Sequence, residues 1–199
     1  MRRIVTFNRV TADGYFTDSQ GSLDWVVPDE ELDKAAMEGP RLFDTVLFGR
    51  RTYEMFERFW PRALDESPTA PDPHRPGRRS PAMRAMATFL NEATKVVFSR
   101  TRRDVTWTNS RLVRELDPRE IEAMKNQPGR DMILFGSGSI ASQLTQHDLV
   151  DEYQFVVGPV LLGSGRALID GVSQRTRLNL LDARPYPSGN LMLRYGRAS

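Results

Sequence analysis

Three short apolar runs in this chain each end in residues suited to holding an anion. Thr45-Val46-Leu47-Phe48 leads into Gly49-Arg50-Arg51-Thr52. Lys95-Val96-Val97-Phe98 leads into Ser99-Arg100-Thr101-Arg102-Arg103, and Met132-Ile133-Leu134-Phe135 into Gly136-Ser137-Gly138-Ser139. Glycine lets the backbone approach a phosphate, a helix start presents free N–H groups, and guanidinium and hydroxyl groups bond phosphate oxygens directly. Ligands of open α/β sheets collect outside the carboxyl ends of the strands. Three such ends predict a ligand with several anionic groups, and a dinucleotide is the obvious candidate.

Each motif has a plainer reading beside it. Gly136-Ser137-Gly138-Ser139-Ile140-Ala141 fits the pattern G-x-G-x-x-A, but it lies two-thirds of the way along the chain. No acid ends the next strand, Tyr153 to Val157, so it is not a first-turn Rossmann unit. A tight turn needing glycine for packing alone is the alternative. The arginine clusters suit a ribose 2′-phosphate, or are solvated loops. Asp13 in Asp13-Gly14, and Asp29 and Glu30 before a helix, are proton-donor candidates; a turn former and acids favoured by the helix dipole explain them equally. His74 and His147 are too far apart for metal-ligand spacing, and no metal site is expected.

The elements that must position these groups follow from pattern. Ile4 to Val10 reads as a strand, and Pro28-Asp29-Glu30-Glu31 opens a helix to about Glu38. Arg50 to Phe59 and Met83 to Asn91 read as helices, and Val105 to Thr108 as a short extended piece. Asp117-Pro118 caps a helix that Pro128-Gly129 ends, and another helix runs from Ser139 to Gln146. The three apolar runs carry no polar alternation, the pattern of strands covered on both faces, hence parallel and central. Alternation at Leu178/Leu180 and Leu191/Leu193/Tyr195 around Pro187-Ser188-Gly189-Asn190 predicts an antiparallel hairpin at the sheet edge. Gly163-Ser164-Gly165 reads as a flexible crossing or a second approach to the ligand. The predicted architecture is α/β: a mixed sheet of about eight strands flanked by helices, one domain over 1–199 with a Pro-rich surface excursion at 66–81.

Bulk properties narrow the field. The chain has 199 residues, 39% apolar, and no cysteine, which excludes disulfides and thiol catalysis and fits a reducing cytoplasm. No apolar run reaches the ~18–20 residues of a membrane span, and Met1-Arg2-Arg3 leads directly into a strand. A cytoplasmic protein without membrane contact is expected. Of 28 basic residues all but Lys34, Lys95 and Lys125 are arginine, yet the net charge is only +2 and acids are interspersed. No basic stripe points to nucleic acid.

Taken in order, Thr11-Ala12-Asp13-Gly14-Tyr15-Phe16, Gly21-Ser22-Leu23-Asp24-Trp25, Leu47 to Glu54, Val97-Phe98-Ser99-Arg100, Leu134 to Ser139 and Val150 to Gly165 resemble the dihydrofolate reductase-like superfamily. The nearer branch contains the reductase domain of bacterial bifunctional riboflavin-biosynthesis deaminase-reductases. The resemblance implies that fold and NADPH. It places Gly49, Arg50, Arg51 and Thr52 on cofactor phosphates, and Ser99, Arg100 and Thr101 on the adenosine side with its 2′-phosphate. Gly136, Ser137, Gly138, Ser139 and Ile140 would meet the pyrophosphate, and the Asp13–Phe16 loop the nicotinamide. Trp25, Tyr53 and Phe56 would line the substrate side. The catalytic acid of dihydrofolate reductase falls at Glu30, two residues after Pro28.

The expected activity is an NADPH-dependent reductase moving hydride to a small heterocycle, pterin-like or aminopyrimidine-like. Glu30, or Asp13 through water, would supply the proton. A nucleotide-binding module of the same fold without turnover is the alternative. The antiparallel edge and Tyr153 to Leu162 suit a homodimer. All of this requires the three turns to face one side of the molecule.

Overall fold

A computed structural model describes residues 1–38, 42–65 and 81–198. The excursion expected at 66–81 lies outside the described residues except for Pro81, which opens a helix. In chain order the elements are β1 (Ile4–Thr11), β2 (Tyr15–Thr17), α1 (Glu30–Glu38), β3 (Phe43–Gly49), α2 (Arg50–Glu57), α3 (Pro81–Glu92), β4 (Thr94–Phe98), β5 (Ser110–Val113), α4 (Pro118–Asn126), β6 (Asp131–Phe135), α5 (Gly138–Gln146), β7 (Glu152–Gly158), β8 (Arg166–Ala167), β9 (Leu178–Pro185) and β10 (Leu191–Arg197).

Eight strands form one mixed sheet in the order β5-β4-β3-β6-β1-β7-β10-β9. The first six are mutually parallel; β10 runs antiparallel to both β7 and β9. The apolar runs are the buried, parallel strands their composition predicts. Leu47, Val96, Met132 and Leu134 face a core with Ile121 and Met124 of α4 and Ile140 and Leu144 of α5. Val46, Phe48, Val97 and Ile133 face the opposite way, onto Tyr53 of α2 and Leu90 of α3. Leu32 of α1 covers Val156 on that second face. Among the described residues, two helices therefore cover one face and three the other.

Two expectations are corrected. Val105 to Thr108 is not a strand. The Trp107 backbone N–H donates to the Tyr53 hydroxyl at 3.2 Å and its indole N–H to Asn91 Oδ1 at 2.7 Å, which draws the segment onto the helices. Asn109, at φ 60°, then turns the chain into β5. The helix from Arg50 stops at Glu57, and Trp60–Arg62 forms a separate 3-10 turn. The small β2–β8 ribbon was not foreseen. Gly163-Ser164-Gly165 leads into it, and a Cβ at Gly165 would stand only 2.2 Å from the Thr17 carbonyl oxygen.

Lys95 closes α3. Its ammonium, wholly buried, donates to the Leu90 and Ala93 carbonyls at 2.6 and 2.7 Å and lies 4.6 Å from the Trp107 ring centre. Those carbonyls end a helix and have no intrahelical donor. Burial pushes the Lys95 pKa down to about 8. Between about pH 8 and the ordinary lysine value of about 10.4, the unfolded chain holds a proton that the folded chain releases, so the native state gains stability as pH rises. Below that window both states are charged and the burial penalty stands in full. Lys95→Met should remove a rise of roughly 1–2 kcal/mol, read as the wild-type-minus-variant difference in unfolding free energy between about pH 7.5 and about pH 9.5. A pH-independent difference would refute it.

Candidate ligand-binding cleft

Parallel strands β3 and β6 are neighbours, but the helices that follow them leave to opposite faces, α2 to one and α5 to the other. Such a divergence opens a crevice at the carboxyl ends of the strands. Here it is a cleft of about 2410 Å³. Gly49 to Thr52, Ser99 to Thr101 and Gly136 to Ser139 all line it, so the three turns converge on one site.

Ser137 stitches the two strand ends together. Its hydroxyl accepts the Gly49 N–H at 2.8 Å and donates to the Phe135 carbonyl at 2.9 Å; its own N–H donates to Thr52 Oγ1 at 3.1 Å. Making these bonds places Ser137 in the left-handed region, φ 59°. With Ser137 spent on the stitch, α2 and α5 both begin without a side-chain cap. The contrast with the other helices is informative. Asp117 caps α4 through the Arg119 N–H, and Asp29 receives the Leu32 N–H of α1 at 2.9 Å. The starts of α2 and α5, both on the cleft, thus keep N–H groups for something else.

Close approach is enforced beside them. A Cβ at Gly138 would stand 2.8 Å from the Leu168 carbonyl oxygen, and one at Gly136 (φ 53°) 3.1 Å from Thr52 Oγ1. The arginines divide by use. Arg102 is structural: it pairs with Glu57 at 2.6 Å and stacks 4.8 Å from the Tyr53 ring centre. Arg50 pairs with Glu54 along its own helix, and Arg100 meets Glu115 at an exposed 3.3 Å. Arg51 and Arg166 line the cleft, both exposed, and make no ion pair among the described residues.

The other end of the cleft is aromatic and acidic. Trp60, Phe56, Phe135 and Phe7 form a continuous wall, with successive ring centres 6.1, 5.6 and 6.0 Å apart. The start of α1, with Asp29, Glu30, Glu31 and Asp33, also lines the cleft. Bonds from Ser188 and the Leu32 amide hold the Asp29 carboxyl below the usual range, so it stays ionised.

The family model for the RibD C-terminal domain matches residues 2–192. The chain belongs to that family. YyaP of Bacillus subtilis, uncharacterised, is 27% identical over 194 residues, covering 98% of this chain and 94% of its own. A Shewanella sp. PV-4 protein named for riboflavin biosynthesis superposes with a TM-score of 0.72 at 21% identity, over 99% of each chain. Dihydrofolate reductase from Enterococcus faecalis, solved with NADP(H), gives 0.56 at 11%, over 99% of this chain and 97% of that one. The fold is dihydrofolate reductase-like.

Within this RibD C-terminal domain fold the cleft gathers Glu30, Phe56 and all the expected cofactor residues except Ile140. Ile140 lies in the core beneath Gly49. Tyr53 is wholly buried against Trp107 rather than on the substrate side. Trp25 packs on Gly158 and does not line the cleft, although Leu23, Asp24 and Val26 do. Asp13 is also absent from the lining. Its carboxylate accepts the Leu162 and Gly163 N–H groups at 3.0 and 2.7 Å and the Thr11 hydroxyl at 2.5 Å. Led by the Thr11 bond, these hold it below the usual carboxylate range. Asp13 thus anchors the Leu162–Gly163 loop to the end of β1. Phe7, Arg9, Trp60, Phe135 and Arg166 line the cleft without having been singled out. Phe135 ended a flagged strand and so carried a signal; Arg166 carried none.

Ser137→Ala strips the Gly49 N–H of its acceptor and should cost about 1–3 kcal/mol in urea unfolding. Ser164→Ala, exposed and away from the stitch, is the control. Equal losses from both would deny Ser137 its role.

Proposed function

We propose that the protein is a reductase that uses NADPH to transfer hydride to a small planar heterocycle of pterin or aminopyrimidine type. The observation that carries this reading is the pair of uncapped helix starts, α2 and α5, set side by side at the switch point. Backbone amides there fit a pyrophosphate. Arg51 adds charge at the α2 start, while Arg100 and Thr101 at the end of β4 suit a 2′-phosphate. The cofactor supplies the hydride when bound. The chain's own task is positioning: the aromatic wall holds the acceptor flat, within the ~3–3.5 Å that hydride transfer needs. Glu30, at the first turn of α1 and on the cleft, holds the proton for the acceptor. The reductases among its structural relatives support the same reading.

Thermal shift with NADPH, NADH and NADP⁺ tests the cofactor. A pronounced preference for the two phosphorylated forms is expected, and Arg100→Gln should erase most of it; equal shifts would remove Arg100 as the reader of the extra phosphate. Turnover is followed as NADPH oxidation across pterins and aminopyrimidines. Glu30→Gln should lower kcat about 10²-fold with NADPH affinity unchanged. Cofactor binding with no turnover on any acceptor would instead identify a nucleotide-binding module.

We also infer a homodimer through the β9 edge, where Leu180 and Leu181 stand exposed. Light scattering should return twice the chain mass, and a monomer mass would exclude it.

A further inference from the structure

Asn8 of β1 lines the cleft yet is 1% exposed. Its amide nitrogen and its amide oxygen are both out of solvent, and neither has a hydrogen-bond partner among the described residues. The other buried asparagine behaves differently: Asn190 donates Nδ2 to the Val27 carbonyl at 3.0 Å and to Ser188 Oγ at 2.7 Å. Buried amides are ordinarily paired, because a donor or acceptor taken out of water without a partner is costly. Thr6, two positions back on the same face, also has a buried hydroxyl without a partner, but it does not line the cleft.

The sheet fixes which side of the cleft Asn8 serves. Neighbouring residues of a strand point to opposite faces. Phe7 belongs to the aromatic wall, whereas Asn8 shares its face with Ile4, which packs with Ile140 and Leu144 of α5. β1 runs beside β6 with Phe7 opposite Phe135, and the Gly136 N–H donates to the Phe7 carbonyl at 3.3 Å. Asn8 is therefore the next residue after the point where β1 meets the turn into α5. It stands on the phosphate-turn side, not the acceptor side.

The unpaired groups say what would satisfy them. A side-chain amide presents an acceptor and a donor side by side in one plane. Its complement is another flat group with a donor beside an acceptor, and a primary carboxamide is the simplest. A ketone would satisfy Nδ2 and leave Oδ1 unpaired. A carboxylate would set its second oxygen against Oδ1, and asparagine brings no positive charge to offset desolvation of an anion.

We propose that Asn8 pairs edge to edge with the primary carboxamide on the pyridine ring of the cofactor and selects carboxamide-bearing dinucleotides over ketone and carboxylate analogues. This rests on the reading of the cleft as an NADPH site, and it adds a side chain that reads the ring end. Asn8 is a binding residue.

The test titrates four compounds into the full chain by calorimetry: NADP⁺, its acetylpyridine analogue (a methyl ketone), its nicotinic acid analogue (a carboxylate), and 2′-phospho-ADP-ribose, which lacks the pyridine. The wild type should bind NADP⁺ about tenfold more tightly than the ketone, with the carboxylate weaker than either. Asn8→Leu should bring NADP⁺ and the ketone within about twofold of each other while 2′-phospho-ADP-ribose binds as before, which reports that the phosphate turns are intact. Asn8→Ala serves if the leucine variant does not fold. Thr6→Val, which removes the neighbouring unpaired hydroxyl, should keep the wild-type ranking. The proposal is overturned if the wild type does not distinguish amide from ketone, if the Asn8 variants keep its preference, or if Thr6→Val abolishes it equally. Failure of 2′-phospho-ADP-ribose to bind the wild type would overturn the cofactor reading and this proposal with it; binding of that compound without a carboxamide preference would remove Asn8 alone.

Discussion

A serine hydroxyl that bridges the ends of two neighbouring strands sets the geometry of everything around it. Ser137 accepts from Gly49 at the end of β3, donates to Phe135 at the end of β6, and offers its N–H to Thr52 in the first turn of α2. A non-glycine residue in the left-handed region costs on the order of 1–2 kcal/mol, and three hydrogen bonds offset it. Because the strand ends are held together while their helices depart to opposite faces, the gap between α2 and α5 has a fixed floor. The same bonds engage the Ser137 and Thr52 hydroxyls, and both helices begin without a side-chain cap.

Charge in the cleft is sorted along its length. Exposed arginines stand near the glycine turns, where Arg51 and Arg166 have no carboxylate partner among the described residues. Acids gather at the start of α1, which also lines the cleft. Composition conceals this sorting: Arg102 belongs to the same sequence cluster as Arg100, yet it is used up on Glu57 and Tyr53.

Much of the frame was legible in the sequence because its signals were local. Apolar runs without polar alternation marked β3, β4 and β6 as doubly covered, and Asp117-Pro118 marked the start of α4 to the residue. The convergence of the turns followed from the rule for parallel sheets. What escaped notice depends on partners distant in the chain. Tyr53 and Phe56 lie one turn apart on α2, but Phe56 reaches the cleft while Tyr53 turns inward to Trp107. Asp13 looked like a turn former with a possible proton; its role is fixed by amides some 150 positions later. Arg9 sat in an ordinary alternating strand, and only the packing of α1 brings Asp33 to it.

The Asp13 anchor has a bearing on how much freedom the rim of the cleft retains. Tyr15 to Thr17 and Gly165 to Leu168 come from opposite ends of the sequence, yet they pair as a ribbon, and Gly165 is pressed against the Thr17 carbonyl. Fixing a residue's backbone costs roughly 1–2 kcal/mol of conformational entropy. In this ribbon that cost is met during folding, by one carboxylate and one glycine. An arriving molecule thus finds the rim already ordered, and its binding energy is not drawn down to arrange it.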